Sequence, residues 1–334
     1  MAPTLKMIAE RAGLSQSTVS QILNRRSNDF SSEETRKRVF AIAEELGYKQ
    51  KFGHKLLRGD RTHTVAILLG MHRLTLEEHI QSLVMILLTL LERAGWGSYL
   101  VTLGEKADEN VELVRDLLER GTESFIFLGD PAGTAELERT VSEEKRSFIG
   151  YASAFSRNVL SDSSESTAEI IRYFLARGHR NFRCFFGKPS HSKRLDGLRR
   201  VFPDLTFAEL ERRYLRSLEC GDVLGETDDI DTFAQMGCRA TRRAFEEDPR
   251  IDACFYLSDY FAVGGLRYLA ETDRRVGSDV LVAGFNDIHA VRNYPFPVSS
   301  AAHDIPLIAS VLIEEMTKEG PLTRLVPTRA VIRK

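Results

Sequence analysis

Apolar residues near the N-terminus recur three and four positions apart, and this rhythm changes abruptly at Thr64. Leu5, Ile8, Ala9 and Ala12 form one helical stripe. Val19, Ile22 and Leu23 form a second, and Val39, Ile42, Ala43 and Leu46 a third. The punctuation agrees with the stripes. Thr4, Ser15 and Ser32 are N-cap types, while Gly13 and Gly47 offer left-handed stops. Helix, tight glycine-containing turn, helix is a helix-turn-helix pattern. Three helices of this size make a small core, marginal alone but workable.

From Thr64 onward, short apolar runs alternate with amphipathic stretches. "TVAILLG", "GSYLVTL", "SFIFLG" and "SFIGY" are separated by helices ending at Ala94, over 111–118 and near 135–144. A second set begins at "NVLSD" and runs through a helix at 168–177, "FRCFFG", helices near 194–201 and 233–245, "DACFYL", a helix at 262–271 and "VLVAGF". This order implies parallel sheets covered by helices on both faces. Two such lobes in tandem would enclose a cleft.

The polar positions of the second helix are unusual. With Val19, Ile22 and Leu23 facing inward, at ~100° per residue Ser17 and Gln21 point away from the core. Ser20 and Asn24 flank them, and Gln16 lies to one side in the first turn. That face holds amides and hydroxyls but no charge. Gln pairs with adenine N6 and N7, and Ser or Thr bonds bases or phosphates. The surroundings supply the charge. Residues 1–62 hold 12 Lys+Arg against 7 Asp+Glu, and the remainder 34 against 41, within a net charge of −2. A basic head on an acidic body is expected where only the head meets nucleic acid.

Several classes fall away. No apolar run reaches the ~18 residues of a membrane span. "SLVMILLTLLERAGW" reads instead as a buried helix, with Ile80, Leu83, Leu87 and Leu91 in one stripe. Lys6, Glu10 and Arg11 interrupt the N-terminus, which is therefore not a signal peptide. Cys184, Cys220, Cys238 and Cys254 lack metal or redox spacing and read as reduced thiols. The expected location is cytoplasmic, with no membrane partner. No nucleotide-loop, nucleophile-elbow or zincin motif is present, so no enzyme, no cofactor and no metal is expected. Asp228, Asp229 and Asp231 read as a solvated acidic loop.

"TLKMIAERAGLSQSTVSQILN" and "SSEETRKRVFAIAEELGY" resemble the headpiece of the lactose/galactose repressor (LacI/GalR) family. The resemblance runs without gaps over 4–24 and 32–48. It implies base reading by Gln16, Ser17 and Gln21, and backbone contacts by Thr4, Leu5, Ser15, Thr18, Ser20, Asn24, Ser31 and Thr35. The position of Gln21 is usually Arg in the family, and Arg favours guanine. A longer loop, "RRSNDFS", adds Arg25 and Arg26 as phosphate candidates. Residues 49–62 resemble a hinge helix that wedges Leu57, with Leu56 beside it, into the minor groove. Gln50, His54 and Lys55 depart from the family there, and Gly53 weakens helix propensity.

The resemblance continues in "LARGHRNFRCFFG", "RLDGL", "DACFYLSDYFAVGGLRYL" and "DVLVAGFNDI". It implies an α/β body of two doubly wound lobes, type I periplasmic-binding-protein-like, behind an N-terminal all-α helix-turn-helix domain. The expected division is head 1–48, hinge 49–62 and body 63–334. Lobe one takes about 63–158 and 290–319, and lobe two 159–289 and 320–334, with three crossings. Effector contacts carried over by position are His79, Asp162, Arg194, Thr232 or Phe233, Asp259 and Asn286. Asn286 stands where the family usually has Asp, and Lys188, His191 and Lys193 add positive charge near Arg194. The implied protein is a regulator, a repressor by expectation, binding double-stranded pseudo-palindromic operator DNA as a homodimer. A small effector, a sugar or an anionic metabolite, would sit in the cleft. The rivals are a transporter's solute-binding protein, which would need a signal peptide and no head, and a regulator whose pocket is unused.

Overall fold

The computed structural model describes residues 3–23, 29–48, 61–70, 77–186, 192–218 and 230–334. Contacts divide the chain into two units, Met1–Thr62 and His63–Lys334.

In the first unit, helices α1 (Leu5–Ala12), α2 (Gln16–Leu23) and α3 (Glu33–Glu45) follow the stripes. Thr4 caps α1 by accepting from the Met7 N–H at 3.3 Å. Gly13 ends it at φ +65°, a backbone state that costs glycine little. Ile8, Val19, Ile22 and Val39 are buried at the common centre. Arg38 donates to the Ala12 carbonyl at 3.1 Å, covering the end of α1.

The second unit carries two sheets. Sheet one uses β1 (Thr64–Leu69), β2 (Gly97–Thr102), β3 (Ser124–Leu128), β4 (Ser147–Tyr151), β5 (Arg157–Asp162) and β10 (Leu322–Pro327), in the order β10-β5-β4-β3-β1-β2. Sheet two uses β6 (Phe182–Phe185), β7 (Ala253–Tyr256), β8 (Leu281–Phe285), β9 (Val298–Ala302) and β11 (Arg329–Val331), in the order β11-β9-β8-β7-β6. Every pairing is parallel except β11 with β9. On sheet one, helices α4 (Glu78–Arg93) and α13 (Ile305–Glu315) cover one face. The other face carries α5 (Ala107–Glu119) and α6 (Thr134–Glu143). On sheet two, α7 (Ser164–Ala176), α8 (Ser192–Val201) and α9 (Phe207–Tyr214) pack on one side. Opposite them lie α10 (Ile230–Glu247), α11 (Asp259–Ala270) and the short α12 (His289–Arg292). α10 and α11 cross almost in backbone contact, since a Cβ on Gly264 would lie 1.8 Å from the Ala234 carbonyl.

The lobe boundaries differ from the expected ones. β5 and β10 pair with each other in sheet one, not in the second lobe. β9, expected in the first lobe, lies in sheet two. Strand-helix alternation gives the order of elements but not which sheet each strand joins. Arg157 helps to decide it. Buried at the start of β5, it donates to the carbonyls of Gly320 and Glu315 and so ties β5 to the end of α13 and the approach to β10. The three crossings fall at β5 to α7, β9 to α13 and β10 to β11.

Lobe two is locked around one carboxyl. Asp259, fully buried at the start of α11, accepts from the Ile288 N–H at 2.9 Å and from the Ser300 hydroxyl at 2.9 and 3.0 Å. Ser300 accepts in turn from the Asp287 N–H at 3.0 Å. Burial pushes the Asp259 carboxyl up to about 8, outweighing these hydrogen bonds. A carboxyl with a raised folded pKa holds its proton more tightly folded than unfolded. Its contribution is therefore full below its ordinary value of 3.8 and is lost as pH rises toward about 8. Asp259→Asn keeps an acceptor for Ile288 and cannot ionise. Urea melts across that window should show the native chain losing stability relative to Asp259→Asn as pH rises. Parallel profiles would exclude this origin.

Candidate functional site

The head presents α2 because α1 and α3 hold its opposite face. Val19 and Ile22 are buried, Gln16 and Ser17 are exposed, and Ser20 and Gln21 are half-buried. Ser15 caps α2, accepting from the Thr18 N–H at 3.0 Å. Its hydroxyl also lies 2.6 Å from that of Ser17 and 2.8 Å from that of Thr18. The hydroxyls at the tip of α2 therefore form one connected group, in which Ser15 is fully bonded and Ser17 and Thr18 keep bonding capacity. Leu5 leans on the head's core. What it can offer a phosphate is the backbone N–H at the first position of α1, where no intrahelical partner exists.

At the start of α3, Ser32 accepts from the Thr35 N–H at 3.2 Å, with the two hydroxyls 2.8 Å apart. Asp29, buried, accepts from the Ser31 N–H at 3.0 Å and from Arg36 Nε at 2.7 Å. The Ser31 hydrogen bonds hold its carboxyl below the usual range, with Arg36 assisting. This staple was not anticipated from the sequence. It leaves the neighbouring Phe30 96% exposed. Asn24, Arg25, Arg26, Leu56 and Leu57, and also Lys188 and His191, lie outside the described residues.

The body brings a second group together where the lobes meet. His79, in the first turn of α4, stacks on His303, with ring centroids 4.8 Å apart and planes 15° apart. His303 sits in the crossing from β9 to α13 and touches both lobes. Its Nδ1 lies 2.8 Å from the Ser161 hydroxyl of β5, and its Nε2 3.2 Å from Asn286 Oδ1 after β8. Tyr151 of β4 reaches the same Ser161 hydroxyl at 3.1 Å. From α8, the Arg194 guanidinium lies 4.0 Å over the Phe285 ring. Asn286 and Asp287 both have positive φ, 100° and 54°. For non-glycine residues this costs of order 1–3 kcal/mol each. Hydrogen bonds from the Asn286 N–H to the Ala301 carbonyl (2.8 Å) and from Arg333 to Asp287 (2.7 Å) hold the turn in place.

Electrostatics follow from burial. Burial, then the positive charge of Arg194, lowers His79 to about 4. Burial, His79 and Arg194 hold His303 well below its ordinary value. Both imidazoles are neutral near pH 7. Burial also lowers Arg194 to about 9, with Glu77 and Asp259 acting the other way as charges. Arg194 stays cationic at neutral pH. Among the described residues, its Nε and Nη1, and His79 Nδ1, have no hydrogen-bond partner. Glu77 Oε2 is 3.4 Å from His79 Nδ1 but is not aligned for a hydrogen bond. A clasp lies alongside. The Glu78 N–H donates to the Tyr260 hydroxyl at 3.1 Å, and Glu78 Oε2 accepts from the His289 N–H at 2.8 Å. One residue of lobe one thus holds two elements of lobe two.

Of the expected effector residues, His79, Arg194 and Asn286 converge. Asp259, Asp162 and Phe233 are engaged elsewhere. Asp259 is corrected to a structural role, because its oxygens are enclosed by Ile288 and Ser300. Asp162 accepts from the Ser164 N–H at 3.0 Å and hydroxyl at 2.7 Å, serving the start of α7. Phe233 packs its ring against Phe261 at 5.3 Å within the lobe-two core, and Thr232 precedes it on α10. His303, Ser161, Tyr151 and Phe285 were missed. They come from separate strands and a crossing, and no local motif marks them.

Residues 4–51 match the family described as bacterial regulatory proteins, lacI family, and residues 171–334 match the periplasmic binding protein-like domain. The transcriptional regulator CelR of Thermobifida fusca is 25% identical, over 99% of this chain and 97% of its own. The transcriptional repressor PurR of Vibrio campbellii is 23% identical, over 89% and 86%. Among solved structures, the lac repressor dimer bound to operator and the anti-inducer ONPF has a TM-score of 0.75 at 19% identity, covering 100% of this chain and 99% of that one. The CelR–cellobiose complex has a TM-score of 0.65 at 22% identity, covering 99% of each. The structures share the fold. The two family matches and the full-length relatives give this chain a lacI-family helix-turn-helix DNA-binding head on a periplasmic-binding-protein-like body, the make-up of a transcription regulator.

Proposed function

We propose that this regulator binds pseudo-palindromic operator DNA in the cytoplasm as a homodimer, represses transcription there, and is not an enzyme. The observation that carries the reading is the uncharged outer face of α2, where Gln16 and Ser17 are exposed and Gln21 is half-buried. Second helices of this motif enter the major groove with their N-terminal residues at the base edges. Thr4, Leu5, Ser15, Thr18, Ser20, Ser31 and Thr35 supply donors to the phosphates in this reading. The operator complex of the lac repressor dimer supports the same arrangement by likeness of fold.

The body senses a small molecule between its lobes, at His79, Arg194, Asn286 and His303. The cellobiose complex of CelR supports a ligand in a body of this fold. An effector shifts operator affinity only as far as it binds two arrangements of the lobes unequally. The Glu78 clasp is the contact such a shift would break or keep.

Two copies pair through the outer flank of α4 and the edge strand β2. Met85 on α4 is 62% exposed and Leu100 on β2 is 48% exposed. Leu100 is in register with Ile67, a core residue beneath α4, so both side chains lie on the α4 side of sheet one. An edge strand leaves backbone donors and acceptors unpaired, which invites a partner.

Gln21 should prefer adenine where an arginine would take guanine. In a randomised-operator selection, Gln21→Ala should relax that one position at a cost of about 1–3 kcal/mol; an unchanged guanine preference would remove Gln21 from the reading set. Met85→Glu should shift the chain to monomer in sedimentation and weaken operator binding while leaving the thermal melt cooperative. A dimer unaffected by this change would place the interface elsewhere.

A further inference from the structure

We propose that the effector carries an anionic oxygen group, a carboxylate or a phosphate, seated on Arg194 Nε and Nη1 beside the stacked His79 and His303. This rests on the reading of the interlobe group as the effector site. Nε and Nη1 of a guanidinium carry three N–H bonds. In Arg194 they are buried and have no partner among the described residues. Each unmet buried donor costs about 1–3 kcal/mol, and more when the group is charged. Side chains so placed are expected to meet something the protein does not itself supply.

The surroundings discriminate between ligand classes. One flat face of Arg194 lies over Phe285, and its N–H edge offers the unmet donors to a ligand. The groups around it are neutral: Asn286 is an amide, and Ser161 and Tyr151 are hydroxyls. His79 and His303 are uncharged, and Asp259 is protonated through most of the neutral range. Glu77 is the remaining carboxylate acting on Arg194. It stands on the His79 side and leaves the two nitrogens unbonded. A sugar hydroxyl would satisfy an N–H and leave the buried cation without a direct counter-charge. A carboxylate or phosphate does both, and charge-assisted bonds are roughly twice as strong as neutral ones. The free Nδ1 of His79, as a neutral imidazole nitrogen, adds a donor or acceptor for the rest of the same molecule.

The test uses the full chain and matched probes: glucose, cellobiose, gluconate, glucuronate, glucose 6-phosphate and inorganic phosphate. Thermal unfolding and operator anisotropy are read on the same samples, with Arg194→Gln and Arg194→Lys alongside. The expected result is a rise in the unfolding midpoint of at least about 2 °C with one or more of the anions and none with the neutral sugars. That rise should vanish in Arg194→Gln and survive in part in Arg194→Lys. The Gln variant also controls for the general salting effect of phosphate, which raises stability without a site. Stabilisation by glucose or cellobiose that Arg194→Gln abolishes would overturn the anionic class and leave the interlobe site standing. Stabilisation by anions that persists in Arg194→Gln would place them elsewhere and overturn the proposal. No stabilisation by any probe, with operator binding intact, would count against the proposal and against the interlobe reading together.

Discussion

Two sheets joined by three short crossings set what this body can do, because any motion between the lobes must pass through those crossings. Two of them are bonded to each other. The Thr328 N–H, between β10 and β11, donates to the Asp162 carbonyl at the end of β5 at 2.9 Å. The Thr328 hydroxyl meets that of Ser166 on α7 at 2.6 Å. The remaining crossing carries His303, whose two ring nitrogens face opposite lobes. Lobe geometry and the chemistry of the interlobe group are therefore set by the same few residues.

Charge at that group follows from burial more than from any pair of residues. Desolvation is the largest influence on His79, His303, Arg194 and Asp259 alike. The low-dielectric setting favours neutral imidazoles and a protonated Asp259, and leaves Arg194 as the one cation among these four. An unpaired buried charge is costly unless something completes it. The positive φ of Asn286 and Asp287 adds backbone strain at the same place. Strain kept where surrounding hydrogen bonds enforce it is a mark of a functional turn.

The head is held by different means. Its core is small, so local devices carry much of its order: the Thr4, Ser15 and Ser32 caps, the left-handed Gly13, and the Asp29–Arg36 staple. Each fixes an end or a loop and leaves the outer face of α2 unencumbered. That face can remain neutral because positive charge is carried elsewhere in residues 1–62.

The sequence by itself determined the elements and the head. Helical periodicity and cap residues act within a few positions of one another, so α1, α2 and α3 were legible from their stripes, Thr4, Gly13 and Ser32. The alternation of strands and helices was legible for the same reason as far as β8, while α9, α12, β9, α13 and β10 were not read as elements. One local signal was overlooked: Thr206 and Glu209 form a capping box that opens α9. What only the tertiary structure decided is which sheet each strand joins and which side chains meet. β5 and β10 changed lobes because they pair with each other across more than 150 residues, helped by Arg157 with Glu315 and Gly320, and β9 changed lobes because it pairs with β8 and β11. Asp259 looked like a ligand contact by position, yet burial and the Ile288 N–H made it a core carboxyl. His303 looked like nothing at all, since its neighbours in sequence share none of its chemistry; it became central only when folding brought His79, Ser161 and Asn286 around its ring.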